Sequence, residues 1–235
     1  MARTKMTRHQ LKEQDEITVF FEKYTEIIIA KRKEVGIGIA AVAAVAIIFF
    51  AWSAYSSSRN TKAQAELSQV INTYNDTTIK TDKERYQKTL AEAQKAHDDY
   101  PSLSAGSIAL YYAALSQDGL GDTAKAIQNL QDVSQHGDAS VKSVAQFALA
   151  ALYKRHGDTQ KAIDTLKPLF DSGGYSKSAV AYELATLYET NKQVDQAKDF
   201  YQKVVTDFPD SPFRQNADDA LKRLGVVTPP KPSEG

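Results

Sequence analysis

Four histidines, His9, His97, His136 and His156, are the side chains best suited to metal ligation or proton transfer near neutral pH. They fall in different elements and at no ligand spacing, so they predict no metal centre. The chain has no cysteine, which removes thiolate zinc sites, iron–sulfur ligation, disulfide frameworks and Cys nucleophiles together. No HExxH, G-x-S-x-G or P-loop occurs. Asp118-Gly-Leu-Gly-Asp122 suggests calcium at first sight, but it lacks EF-hand ligand spacing and the terminal Glu. It reads as a turn and a helix cap. The carboxylate pairs Asp98–Asp99 and Asp218–Asp219 sit on polar helix faces or ends. No apolar pocket raises either pair toward general-acid work. The expectation is a protein that is not an enzyme and carries no cofactor.

The remaining chemistry is recognition. Tyr111, Phe147 and Tyr182 recur at spacings of 36 and 35, with Tyr112 beside the first. Lys154, Arg155, Glu183 and Glu189 border the row. Aromatic faces with a polar rim suit an extended or helical peptide. Rings at helical spacing also fill cores, and a register shifted by one would place these inside. Both readings stay open from the sequence.

The elements that position the rings are internal repeats. Gly121-Asp-Thr-Ala-Lys-Ala-Ile127 returns as Gly157-Asp-Thr-Gln-Lys-Ala-Ile163 and, degenerately, as Lys192-Gln-Val-Asp-Gln-Ala-Lys198. Ala114, Ala150 and Ala185 correspond, as do Ala126, Ala162 and Ala197, and then Leu130, Leu166 and Tyr201. Each unit reads as a helix A, a turn whose Gly supplies positive φ, and a helix B that Asp can cap. A worn fourth unit precedes them. Gln94-Lys-Ala-His-Asp-Asp-Tyr-Pro101 parallels Gln202-Lys-Val-Val-Thr-Asp-Phe-Pro209, its helix A falls on residues 61–74, and Thr81–Glu84 forms a capping box. Ser211-Pro212 is expected to start a last capping helix that ends near Gly225. Pro168 is expected to bend or end its helix.

These units resemble the tetratricopeptide repeat family. The last shows Ala185, Tyr188, Ala197, Tyr201 and Pro209 of that pattern; all lack its early Trp, having Leu110, Gln146 and Ala181 instead. The resemblance implies an α-solenoid in which helix A, with Tyr111, Phe147 and Tyr182, faces a groove for protein partners.

Ahead of the repeats, residues 35–55 hold 21 consecutive uncharged positions. As a helix they would extend roughly 31 Å, the thickness of a bilayer's hydrocarbon core. The length and position argue against a signal peptide. Lys31, Arg32 and Lys33 abut the N-terminal end, which predicts a cytoplasmic N-terminus and an outer repeat domain. The formal charge of zero is then a balance of +2 over residues 1–34 against −2 over 56–235. No basic footprint for nucleic acid remains. Gly36, Ala40, Ala43 and Ala44 form a small-residue face for contact with another membrane helix. Residues 13–30 read as an amphipathic helix with Phe20, Phe21, Ile27 and Ile28 on one face, for lipid or a cytoplasmic partner.

The predicted organisation is therefore all-α. A cytoplasmic leader and amphipathic helix (1–34) precede a membrane helix (35–55), a solenoid of about four helix pairs (56–225) and a proline-rich disordered tail (226–235). This layout resembles the ancillary subunit of the bacterial Sec translocon, a family described as periplasmic chaperones. The shared features are Glu16-Ile-Thr-Val-Phe-Phe21, Val35-Gly-Ile-Gly38 and the repeat-bearing outer domain; the longer basic leader and the proline-rich tail depart from it. The resemblance implies a single-pass inner-membrane protein that meets translocon subunits, secreted chains or periplasmic chaperones. Phe208-Pro-Asp-Ser-Pro212 also resembles closing segments of repeat proteins in Tol–Pal and outer-membrane assembly systems, which implies an envelope scaffold instead. The oligomeric state is not legible.

Overall fold

The computed structural model describes Thr25 and residues 30–226. The leader, nearly all of the amphipathic segment and the tail beyond Val226 lie outside the described residues. Among the described residues there are nine helices and no strand. They are α1 (Arg32–Tyr74), α2 (Asp82–Asp99), α3 (Ser104–Gly119), α4 (Thr123–His136), α5 (Ala139–Arg155), α6 (Thr159–Ser172), α7 (Lys177–Thr190), α8 (Val194–Asp207) and α9 (Arg214–Arg223).

The chain divides into two compact units, 1–59 and 60–235. The described part of the first is the N-terminal portion of α1. Its apolar run is long enough to cross a membrane, by length and composition, and none of it is buried. Ile37, Val42 and Phe50 are each about 70% exposed. Residues 35–55 and 61–74, which the sequence divides into separate helices, belong to one element. The linking Ser56-Ser-Ser-Arg-Asn60 contains neither Gly nor Pro, so nothing there breaks a helix.

The second unit holds the repeats. Here the C-terminal part of α1 buries Ala63, Leu67 and Val70. It is tied to α2 by Gln69 Nε2 donating to Glu92 Oε1 (3.1 Å) and Lys95 Nζ donating to Glu66 Oε2 (2.9 Å). From α2 onward each helix packs on its successor, and α3 also touches α5. The small residues set the closeness of this packing. Ala114, Ala126, Ala162, Ala185 and Ala197 are fully buried, and Leu130, Leu166 and Tyr201 fill the space between units. Each buried Leu contributes about 1.5–3 kcal/mol relative to exposure.

The turns repeat in detail. Gly121, Gly157, Lys192 and Gly225 all have positive φ, between 60° and 86°. In each case the following amide reaches back five residues: Asp122 to Gln117 O, Asp158 to Tyr153 O, Gln193 to Tyr188 O and Val226 to Leu221 O, at 2.8–2.9 Å. This is a Schellman closure, which satisfies carbonyls at the end of helix A while reversing the chain.

Local details differ from expectation. Asp122 caps α4 through Lys125 N (3.4 Å), but Asp158 does not cap α6. Its carboxylate pairs with the Lys161 ammonium at 3.0 Å, as that of Asp122 does with Lys125 at 2.8 Å. Pro168 neither ends nor caps α6, which continues to Ser172 and closes on Gly173 in the left-handed region. Ser211 does not cap α9: its hydroxyl accepts from Phe213 N (3.1 Å) in a turn, and the helix starts at Arg214.

Candidate partner-binding site

Helices α3, α5 and α7, the A helices, carry the aromatic row. Tyr111, Tyr112, Phe147 and Tyr182 are all half-buried and pack against the core. Of the missing-Trp positions, Leu110 and Ala181 are buried and Gln146 is half-buried. The row is extended by rings that the repeat pattern did not single out. Phe147 stacks on Tyr175, with centroids 4.6 Å apart and planes at 18°. Tyr182 stacks on Phe213 at 5.2 Å, also at 18°. Tyr112 meets Tyr74 at 5.1 Å and Tyr111 at 5.5 Å, both edge-to-face. Such pairs are each worth about 0.5–1.5 kcal/mol beyond the area they bury. Tyr175 and Phe213 lie just ahead of α7 and α9, outside helical periodicity, so no spacing rule could reveal them.

Burial pushes the Tyr111 phenol up to about 12, with smaller contributions from Tyr112, Tyr74 and Tyr175 nearby. Tyr201 is likewise raised, by burial and by its hydrogen bond to Glu189 Oε2 (2.8 Å). Both rings therefore stay neutral at physiological pH.

The charged rim is structured as ion pairs between successive units. Lys154 Nζ donates to Glu183 Oε1 at 2.7 Å, linking α5 to α7. Arg155 donates to Asp118 Oδ2, linking α5 to α3, and Arg223 donates to both oxygens of Glu189 at 2.7 and 3.0 Å, linking α9 to α7. Arg155 and Arg223 each end their helix, where a cation also complements the macrodipole. Lys154, Arg155, Glu183 and Glu189 thus each pair with a charged residue of another unit.

An apolar groove of about 320 Å³ opens between α3 and α5, lined by Ser104, Ile108, Tyr111, Tyr112, Val141 and Val144. A wider polar groove of about 800 Å³ lies between α2 and α4, where Gln94, Gln128 and Gln135 contribute carboxamides. Neither was legible in the sequence. Among the described residues no cluster of three or more His, Asp or Glu is placed to hold a metal. His97 Nδ1 lies 3.1 Å from Gly106 O, His136 pairs with Asp132 (2.8 Å), and His156 contacts Thr123 (3.2 Å) and Asp118 (3.6 Å). Asp118 and Asp122, the candidate calcium acids, are spent on Arg155 and on capping α4. In the first unit, Gly36, Ala40, Ala43 and Ala44 are exposed, as are Lys31, Arg32 and Lys33. Lys31 lies 3.6 Å from Glu34.

A family model described as a tetratricopeptide repeat-like domain matches residues 33–226. Among solved structures, the chain is similar to the nearly identical TPR-like repeats of a Podosopora anserina protein described as a kinesin light chain. The TM-score is 0.56 at 16% identity, over 70% of this chain and 86% of that one. A singly substituted form of those repeats gives a TM-score of 0.55 at the same identity, over 70% and 85%. At that identity the likeness shows the fold alone. No curated protein matches the sequence.

Proposed function

The chain belongs to the tetratricopeptide repeat-like domain family, and on that premise we propose that it is a non-catalytic, membrane-anchored adaptor or chaperone that holds protein partners on its A-helix face. The observation that carries this reading is the aromatic row: four half-buried rings on successive A helices, with an apolar groove beside Tyr111 and Tyr112 and ion pairs linking the units. Rings already held in place by their neighbours bind a peptide at low entropic cost.

Membrane anchoring rests on the unburied apolar run of α1, which water would solvate poorly. The Lys31–Lys33 cluster supports a cytoplasmic N-terminus and an outer repeat domain. The exposed small-residue face at Gly36, Ala40, Ala43 and Ala44 supports contact with another membrane helix. The finer proposal, that this protein works beside the Sec translocon of a bacterial inner membrane, rests on the layout resemblance described above.

Photo-crosslinking amino acids at Val42 and at Gln146 test both ends. The expected products are adducts with a membrane partner from Val42 and with a secreted chain or periplasmic chaperone from Gln146. Self-adducts alone would overturn the adaptor reading. Adducts with Tol–Pal or outer-membrane assembly components, without translocon subunits, would move it to an envelope scaffold.

A further inference from the structure

The three equivalent rings of the A helices are not equivalently covered. Phe147 carries Tyr175 stacked on it, and Tyr182 carries Phe213, both with planes at 18° and centroids about a ring thickness and an offset apart. The covering ring comes 28 residues after Phe147 and 31 after Tyr182, in each case one or two positions before the next A-type helix begins. The corresponding stretch after Tyr111, Gly137-Asp-Ala-Ser-Val-Lys142, contains no aromatic residue. Tyr111 has only an edge-to-face contact with Tyr112, at 83°, among the described rings. Beside Tyr111, where the other two units hold a ring, lies the apolar groove of about 320 Å³.

The chain also prevents itself from filling that place. A Cβ at Gly137 would lie 2.6 Å from Val133 O, so that position excludes any side chain. The next residue, Asp138, is committed elsewhere: its carboxylate accepts from Val141 N (3.1 Å) and from the Ser104 hydroxyl. Ser104 and Val141 both line the groove, so Asp138 places an exposed negative charge at its rim.

We propose that the groove beside Tyr111 is an anchor pocket for an aromatic side chain of a partner polypeptide, next to a lysine or arginine in that partner. The partner's ring takes the place that Tyr175 and Phe213 take in the following units, and its basic neighbour meets Asp138. This rests on the adaptor reading and names the chemistry that the face selects.

The test uses the full chain in nanodiscs, with empty nanodiscs as the control for partitioning. The probes are the peptide Gly-Ser-Lys-X-Lys-Ser-Gly with X as 5-fluorotryptophan, read by fluorine NMR, and its Leu and Lys-to-Glu counterparts as competitors. The 5-fluorotryptophan peptide is expected to bind roughly three- to tenfold tighter than the Leu peptide, the added worth of an aromatic pair. The Glu peptide is expected to be weaker again, with the gap closing at high salt. Tyr111→Leu, which keeps the half-buried apolar bulk, should abolish the ring preference, and Val144→Trp at the exposed rim should block binding; thermal melts confirm that both variants fold. Equal binding of the Trp and Leu peptides, or unchanged ring preference in folded Tyr111→Leu, overturns the proposal. Partner adducts at Gln146 without ring preference would sink the anchor and leave the adaptor reading standing. Ring preference with self-adducts alone would do the reverse.

Discussion

The N-terminal portion of α1 and the helices of the repeat domain use the same apolar residue types, and place them oppositely. In α1, Ile37, Val42 and Phe50 are about 70% exposed, and Ala40, Ala43 and Ala44 are exposed with them. In the repeats, Ala114, Ala126, Ala162 and Ala197 are sealed inside, and Leu166, Leu184 and Leu187 lie wholly within the core. Helical propensity and apolar content are therefore not what buries a residue. Burial follows from recurrence: small residues at a fixed offset on two helices, joined by a turn tight enough to bring them together. The apolar run of α1 also carries small residues, at Gly36, Ala40, Ala43 and Ala44, but among the described residues none of them is buried against an answering helix. Each of its exposed Ile or Phe side chains forgoes about 1.5–3 kcal/mol of burial in water, which is the physical argument for a covering of lipid or protein.

The largest effect should come from the same charge placed in the two regions. Leu166→Arg puts an unpaired guanidinium where no water reaches, between two units. It should cost at least about 4 kcal/mol and abolish the cooperative melt seen by circular dichroism. Ile47→Arg should leave that melt unchanged and instead weaken membrane retention on fractionation, because a central Arg costs about 2.5–3.5 kcal/mol on insertion. A repeat domain that melts normally with Leu166→Arg would break the contrast.

Overpacking gives a finer version of the same comparison. Ala162→Leu adds three carbons where helix A and helix B touch, and should destabilise by about 1–3 kcal/mol. Ala44→Leu adds the same atoms to an exposed face and should leave the melting temperature of the repeats within about a degree. If Ala162→Leu were neutral, the small-residue contact would not be what sets the interhelical distance. If Ala44→Leu instead lowered recovery of a crosslinked partner at Val42, the small face of α1 would have its own answering helix.

Much of this contrast is legible in the sequence, because both regions are written in periodic patterns. The 36-residue recurrence locates the turns at Gly121 and Gly157, the buried Ala pairs and the inter-unit Leu130, Leu166 and Tyr201. The uncharged run 35–55 locates the unburied part of α1. What stays hidden is aperiodic or depends on competition between partners. Tyr175 and Phe213 stack from loop positions that no helical spacing marks. Asp122 and Asp158 have the same sequence context and both pair with the lysine three residues on, yet only Asp122 also caps its helix. By residue type the charged rim reads as a border for a partner, whereas Lys154, Arg155 and Glu189 bind neighbouring units, a choice fixed only when successive A helices lie side by side. The groove beside Tyr111 arises from a missing ring, and absence leaves little trace in a pattern.

The smallest effect tests the turn that lets the repeats pack as α1's apolar run does not. Three A-to-B reversals share the same closure, but Lys192 stands where the other two have Gly121 and Gly157. Its φ of 60° brings a Cβ into the left-handed region, at a cost of about 1–2 kcal/mol relative to glycine's freedom there. Glycine gives part of that back through the greater entropy it loses on folding. Lys192→Gly should therefore stabilise by about 0.5–1 kcal/mol, raising the melting temperature by roughly 1–4 °C for a domain of this size. The exposed Lys192 side chain makes no described hydrogen bond that this change would remove. Gly157→Lys should shift the melt by a similar amount in the other direction. Were both changes neutral, the reversal would be held by helix packing alone, and the turn residue would follow the fold without helping to set it.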